Sequence, residues 1–525
     1  MRNIRYYIIG LVVLFSFSCG EEDNTIDLIV PQPNDTTTHE YMNGIGPEAY
    51  AGVPISDVYE VTAIKGDKRE KVVVFQSSCP KYEAGYMNMT TTDKNPLDLF
   101  KDRTISWVNF SMDGTVTIEV KVISAKISTG SATKVLPSRH NITPTNKEGN
   151  IIAFTLTNPG QYSLEVGTTG YKNGLIIFAN PKETDVPDKS ASSTRMLTSA
   201  TKDTLRQVGQ TINTLYFEAG VHDIGVYQVP ANIKNIYLKD GAWVYGSIRM
   251  EGRPDVKIYG RGVLSSGRLN YRESHCIEAI SGSDRVYLEG IVVADPRYFA
   301  VRLIGKNNTV KWIKIIGGWV YNCDGIAAYE GSTVSNCFIW ANDDAIKIYR
   351  NNITWSDIVV WQLNNGGIIQ MAWASSNATN VKVSRVDVLH AEWNKPGFNR
   401  GLLNCIGNHY QDRDDVSGIQ KDWVIEDVVT ENAIPIVFNI TPDNFTPNKI
   451  QGLTLKNWNV KMTMDTAFEN MIIGKLPANT TIKANEYFTG FVFDNVVFNN
   501  VKLTADNWLT ITKTQVENLT NPIFK

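Results

Sequence analysis

Cysteine is scarce in this 525-residue chain, and so is anything that would recruit nucleic acid or zinc. Of six cysteines, five (Cys79, Cys276, Cys323, Cys337 and Cys405) are far apart, odd in number and without a CxxC pair. That pattern supports neither a zinc site nor a disulfide framework. Lys plus Arg number 51 against 54 Asp plus Glu, a net charge of −3, and no long basic block occurs, so a nucleic-acid partner is excluded. Past the N-terminal leader no run is apolar enough to cross a bilayer, which needs roughly 20 apolar residues.

The leader itself reads MRNIRYYIIGLVVLFSFSCG: Arg2 and Arg5, an apolar run from Tyr6 to Phe17, then Ser18 and Cys19. A charged start, a short apolar segment and a small-residue exit make a secretory signal. The cysteine at its end resembles the lipobox of bacterial lipoproteins, with Ser16 where that pattern prefers Leu, and the acidic GEEDN that follows suits a surface-displayed lipoprotein. Residues 1–19 are therefore expected to be a signal ending in a lipidated Cys19, and the mature chain a monomer tethered to the bacterial outer membrane and exposed at its surface.

Residues 25–190 read as an antiparallel β-sandwich, because their strand signals alternate. Ile105 to Ser111 leads through Met112-Asp113-Gly114 into Thr115 to Val122, the pattern of a β-hairpin, and further strands are expected at 161–166 and 175–181. The polar, proline-broken stretch 185–193 is the expected linker. Over 200–525 the texture changes to short β-branched strands punctuated by Gly, Asn and Asp. Segments beginning at Arg297, Asn322, Asn342 and Asn364 align, each preceded and followed by an apolar run. Steps of about 20 to 25 residues with several strands per step are those of a parallel β-helix, in which each coil buries its inner face against its neighbours.

In that register Asp324 and Asp344 occupy equivalent places on successive coils, roughly 4.8 Å apart at the Cα atoms, with Asp343 beside both. Asn and Asp commonly serve coil corners by bonding local backbone. Three carboxylates sharing one patch are a different matter, since like charge raises a pKa until one group holds a proton near neutrality. A protonated acid beside ionised carboxylates is the equipment for cutting a glycosidic bond; the spacing leaves inversion and retention both open. Lys347 is the nearest cation, placed to pair with a carboxylate or bind substrate hydroxyls. Trp319, Trp340, Trp361 and Trp373 fall on the same coils, near Tyr349 and Trp393, and about half of these aromatics are expected at the surface to stack on sugars. Gln370 and Trp373 read as cleft-lining, and Asn322 heads the first acidic motif.

The motifs NCDGI (322–326), ANDDAIKIY (341–349) and VWQLNNGGIIQMAWAS (360–375), with weaker matches at 105–120, 158–166 and 175–187, resemble glycoside hydrolase family 49, the dextranases and isopullulanases. The resemblance spans nearly the whole mature chain. It implies a β-sandwich followed by a right-handed parallel β-helix, inverting hydrolysis of α-glucans and three catalytic aspartates; no cofactor and no metal are expected. Carried over by motif, it makes Asp343 the general acid and Asp324 and Asp344 the pair that activates water. From the residues themselves, Lys347, Tyr349, Gln370, Trp373, Asn322 and Trp393 are expected as substrate contacts. The loop from Glu392 to Arg400 does not align, so linkage stays open among α-1,6-glucan of dextran type, pullulan and another neutral polysaccharide.

Two other readings stand beside this one. A polygalacturonase-like hydrolase would share the helix and the aspartates, yet the Gly-His-Gly and basic Arg-Ile-Lys of such enzymes have no counterpart; the next coil reads Asn364-Asn365-Gly366-Gly367. A catalytically inactive, glycan-binding surface lipoprotein suits the leader and the aromatics, but leaves the three aspartates without a purpose.

Overall fold

The computed structural model describes residues 40–81, 88–89, 95–125, 127, 132–167, 170–372, 377–397, 399–406, 418–442, 449–465, 467–474 and 483–525. The leader with Cys19, and Trp373, lie outside them. No helix among the described residues is long and apolar enough to cross a membrane.

Two five-stranded sheets come first. One holds Tyr59–Lys65, Lys68–Val72, Val116–Val122, Thr145–Lys147 and Ile151–Leu156; the other holds Phe75–Ser78, Thr104–Met112, Thr133–Leu136, Gly160–Val166 and Leu175–Pro181. All pairings are antiparallel except that of Leu175–Pro181 with Thr104–Met112. Val108 and Phe110 of one sheet meet Ile118 and Val120 of the other in a shared apolar core.

The hairpin expected at 105–122 does not form. Both strands are present, but they belong to different sheets, and the turn at Gly114 carries the chain across the sandwich. The reason is that Thr104–Met112 is apolar on both faces. Val108, Phe110 and Met112 fill the sandwich, while Ile105 and Trp107 require a second apolar surface, and the β-helix supplies it.

From Thr194 to Phe524 the strands form one 28-stranded sheet wound into a parallel β-helix. Pairings repeat coil on coil, as in Val301↔Ile326 and Ile326↔Ile346. Alternate residues such as Ile326, Ala328, Ile346 and Ile348 point inward to a continuous core, and their neighbours point out.

The sandwich rests on the outer face of the helix through an aromatic seam. Trp107, Phe178 and Phe75 pack with Trp243, Trp319, Phe338, Trp340 and Trp361, and the Trp340 and Trp361 rings stack 4.5 Å apart. Trp319 donates to Ser77 Oγ at 2.9 Å. The expectation that about half of the tryptophans face solvent is therefore wrong for Trp319, Trp340 and Trp361, all fully buried. Their outward column is apolar because another layer covers it.

Candidate active site

Coil stacking decides which acids meet. Ala327 pairs with Lys347, Gly325 N–H donates to Asp344 O at 2.9 Å, and Asp343 N–H to Cys323 O at 3.2 Å. Asp324 thus lies level with Asp344, one coil away. Asn342 pins the corner: its Nδ2 donates to Trp319 O at 2.6 Å, and its Oδ1 accepts the backbone N–H groups of Asn364 and Asn365 at 3.0 and 3.2 Å. One side chain ties three coils together beside Asp343.

The third coil differs from the sequence alignment by one residue: Ile346 pairs with Ile369, not Ile368. The extra residue is taken up at Gly366, where φ is +74° and a Cβ would sit 2.2 Å from the Asp343 carbonyl carbon. Glycine is required there both for the left-handed backbone and for the close approach. Gly367 N–H is thereby aimed at Asp344 Oδ1, 3.0 Å away.

Oxygens of Asp324, Asp343 and Asp344 all lie within 4.8 Å of one another. Lys347 sits between two of them, in close contact with Asp324 Oδ2 and 3.1 Å from Asp344 Oδ2. Its ammonium also lies 4.4 Å from the centre of the Phe299 ring. The remaining oxygen of Asp344 accepts from Asn399 Nδ2 at 2.9 Å as well as from Gly367. Asp343 Oδ1 accepts the Asp344 N–H at 2.9 Å; its Oδ2 accepts from Asn365 Nδ2 at 2.7 Å and from the Asn322 N–H at 3.2 Å. Asp324 Oδ1 is buried with no hydrogen-bond partner.

The environment makes this cluster retain protons. Burial, and then the charge of Asp344, push Asp343 up to about 7 against the pull of Lys347 and the two backbone donors. Burial likewise raises Asp324, with Lys347 opposing and the other two aspartates adding to the rise. For Lys347 burial acts downward, but Asp324 and the other acids outweigh it and hold the ammonium well above its ordinary value. Both members of the Asp324–Lys347 pair are shifted toward keeping a proton. Three carboxyl oxygens this close also form the only group among the described residues with the donor set of a metal site, though Lys347 already occupies the space between two of them. Chemically, the patch offers a proton at Asp343 and an unpartnered acceptor at Asp324 Oδ1.

The residues expected to bind substrate divide. Asn322 and Tyr349 are half-buried at the rim, where Asn322 Oδ1 accepts from Tyr271 at 3.1 Å. Lys347 is spent on two carboxylates. Gln370 is fully buried and accepts from Asn404 Nδ2, so it supports the site from behind and does not line a cleft. Trp393 is also buried, its indole N–H donating to Gly366 O at 3.0 Å, which props the glycine turn under Asp343. Trp373 lies outside the described residues.

Two groups escaped sequence reading. Asn399 and Asn404 form an amide relay, Asn404 Nδ2 to Asn399 Oδ1 at 2.6 Å and Asn399 to Asp344. Nothing in the unaligned loop 392–400 marks Asn399; only the fold brings it back. Tyr298 and Phe299, half-buried, flank His275, whose ring stacks 4.1 Å from that of Tyr298 and meets that of Phe299 edge-on at 4.8 Å. They provide beside Lys347 the aromatic surface that the tryptophans do not. The alignment of Arg297-Tyr298-Phe299 with Asn322-Cys323-Asp324 was the available signal.

No protein-family model matches the chain. Among characterised proteins, it is 24% identical to a dextranase of Arthrobacter globiformis over 83% of this chain and 81% of that one. It is 24% identical to the isopullulanase of Aspergillus niger over 64% and 65% of the two chains. Among solved structures, Dex49A from Penicillium minioluteum superposes with a TM-score of 0.73 at 17% identity, covering 90% of this chain and 95% of that one. That likeness establishes the fold, sandwich and β-helix together.

Proposed function

The chain is a glycoside hydrolase of family 49, the dextranases and isopullulanases, and from that premise we propose that it hydrolyses an α-glucan, of the α-1,6-linked dextran type, by acid and base catalysis with inversion. The observation that carries the reading is Asp343, pushed up to about 7 within reach of two further carboxylates. A carboxyl group with that pKa still holds much of its proton at neutral pH and can release it to a leaving oxygen.

In this mechanism Asp343 donates its proton to the glycosidic oxygen as the bond to the anomeric carbon breaks. A water beside Asp324 and Asp344 loses a proton to one of them, and its oxygen bonds to the anomeric carbon from the opposite face. Asp343 then regains a proton from solvent, and the base releases to solvent the proton it took from the water. Lys347 fixes the spacing of the two bases, and Asn399 and Gly367 hold the far oxygen of Asp344 still. Inversion is inferred from the count of acids and from the family. The separation within 4.8 Å is shorter than the about 6.5–9.5 Å usual for inverting pairs. Two bases facing one acid suit a held water, whereas a retaining enzyme needs one nucleophile.

Proton NMR of the first product settles both parts. Incubated with dextran, pullulan and polygalacturonate, the protein is expected to cleave dextran and to release the β-anomer first. An initial α-anomer overturns inversion, and turnover of polygalacturonate alone overturns the substrate. The expected site of action is the bacterial cell surface, through a lipid on Cys19. Replacing Cys19→Ser should release the protein from the membrane fraction, and unchanged fractionation removes the anchor.

A further inference from the structure

A cavity of about 890 Å³ opens between the sandwich and the β-helix, a volume in the range of ligand sites, about 300–1,000 Å³. It is separate from the aspartates yet tied to them by register. Ala341 pairs with Gln362 and Gln362 with Ala391, so residues 392–394 stack two coils beyond 342–344. Asn394 N–H donates to Asn364 Oδ1 at 3.2 Å, and Asn364 N–H to Asn342 Oδ1 at 3.0 Å. The cavity wall at Trp393 and Asn394 therefore stands about 10 Å along the helix axis from Asp343, two strand spacings.

The lining is rich in hydrogen-bond donors: Lys101, Arg103, Lys134 and Lys172 stand against Glu165 and Glu392. Its two carboxylates are already committed across the seam. Glu392 accepts from Arg103 at 2.6 and 3.1 Å and from Trp361 Nε1 at 2.7 Å. Glu165 accepts from Lys134 at 3.0 Å and contacts His390 Nε2 at 2.6 Å. What remains for a ligand includes Lys101, Lys172, Thr133 and the exposed Asn394 as polar groups, with Leu99, 40% exposed, as an apolar strip. Donors around an exposed aliphatic edge match the hydroxyls and C–H face of a pyranose.

We infer that this cavity is a distal binding site for the glucan chain, holding sugar units beyond those at the aspartates. The inference rests on the α-glucan reading above. It explains why a sandwich is packed against a helix that carries the acids by itself: the sandwich supplies Leu99, Lys101 and Lys172.

The test compares dextran with isomaltotriose, a substrate too short to occupy both places. The double variant Lys101→Ala/Lys172→Ala, and separately Ala433→Trp, which fills the rim from an exposed position, should lower kcat/KM on dextran about tenfold, the factor that about 1.4 kcal/mol of lost binding gives. The same variants should leave isomaltotriose within about twofold. Equal losses on both substrates, or none on either, overturn the inference. So does binding of a uronate-bearing oligosaccharide that the lysine variant abolishes while dextran turnover is unchanged, which makes the cavity an anion site. If the wild-type protein cleaves neither glucan, the substrate reading is at fault. Retardation in dextran-containing gels then decides the cavity: weaker retardation of the variants upholds it, equal mobility ends it.

Discussion

Asn336, Asp357, Asp427, Asn457 and Asn495 stack in one column, with Arg385 on the coil between Asp357 and Asp427, and each of the six has a positive φ of 52° to 58°. The acidic corner at 324 and 343–344 uses the same residue types a short way along each coil, yet the two corners differ in every physical respect. The first column is exposed or half-buried, and its side chains bond one another, Asn495 Nδ2 to Asn457 Oδ1 at 2.9 Å and Asn457 Nδ2 to Asp427 Oδ1 at 3.1 Å. Short polar side chains are there because they tolerate the left-handed bend. None of Asp324, Asp343 and Asp344 has a positive φ. All are buried, and their partners are an ammonium, backbone N–H groups and carboxamides. Composition makes the two corners alike; burial and backbone conformation separate a turn from a reaction site.

The sharpest way to break this contrast is to neutralise one member of each corner. Asp343→Asn keeps the size but removes the transferable proton, so kcat on dextran should fall about 10²–10⁴-fold. Asp427→Asn, on the turn column, should leave kcat unchanged. Comparable losses at both positions erase the distinction; an unaffected rate at Asp343 removes it from the acid role.

Titration separates the corners next. Asp343 is pushed up to about 7, so turnover should decline as pH rises through that value, because the acid form disappears. Stability follows the same sign. The unfolded carboxyl titrates near about 3.9, so between there and about 7 the native state binds the extra proton. The stability Asp343 contributes is full below the unfolded value and is lost as pH rises through the native one. Asp343→Asn should flatten that decline in denaturant midpoints measured from pH 4 to 8; an equally steep decline places the proton elsewhere.

A smaller effect is expected behind the site. Asn399→Ala frees an oxygen of Asp344 from a buried bond of 2.9 Å. Hydrogen bonds to charged groups contribute about 1.5–3 kcal/mol, so kcat should drop at least about tenfold with KM little changed. A rise in KM at constant kcat instead makes Asn399 a substrate contact.

These distinctions were unequally legible in the sequence. Period-two apolar runs and a recurring Asn/Asp punctuation carried the sandwich and the helix, because both depend on local alternation that each strand displays by itself. The register of Asp324 over Asp344 was legible for the same reason. The next coil slipped by one, since Gly366 absorbs a residue that only the approach of Asp343 explains. The tryptophans were misplaced because an apolar outward column looks the same whether a sugar or a second domain covers it. The hairpin failed likewise: Trp107 signals a strand buried on both faces, not which sheet its neighbour joins. Asn399 reaches Asp344 through tertiary folding, so no spacing could reveal it.

The smallest expected effect lies on the turn column, and it shows whether that column is only a scaffold. Asn457 sits at a φ of 52° with its side chain bonded up and down the ladder. Alanine at such a position keeps the Cβ but lacks the short polar side chain that eases a left-handed bend otherwise costing about 1–2 kcal/mol, whereas glycine accepts the bend and loses only the exposed side-chain bonds. Asn457→Ala should therefore lower the denaturation free energy by about 1 kcal/mol and Asn457→Gly by less, with dextran turnover at wild-type level in both. If glycine instead costs as much as alanine, the stacked amides, not the backbone, hold the corner, and the column is a hydrogen-bonded ladder in its own right.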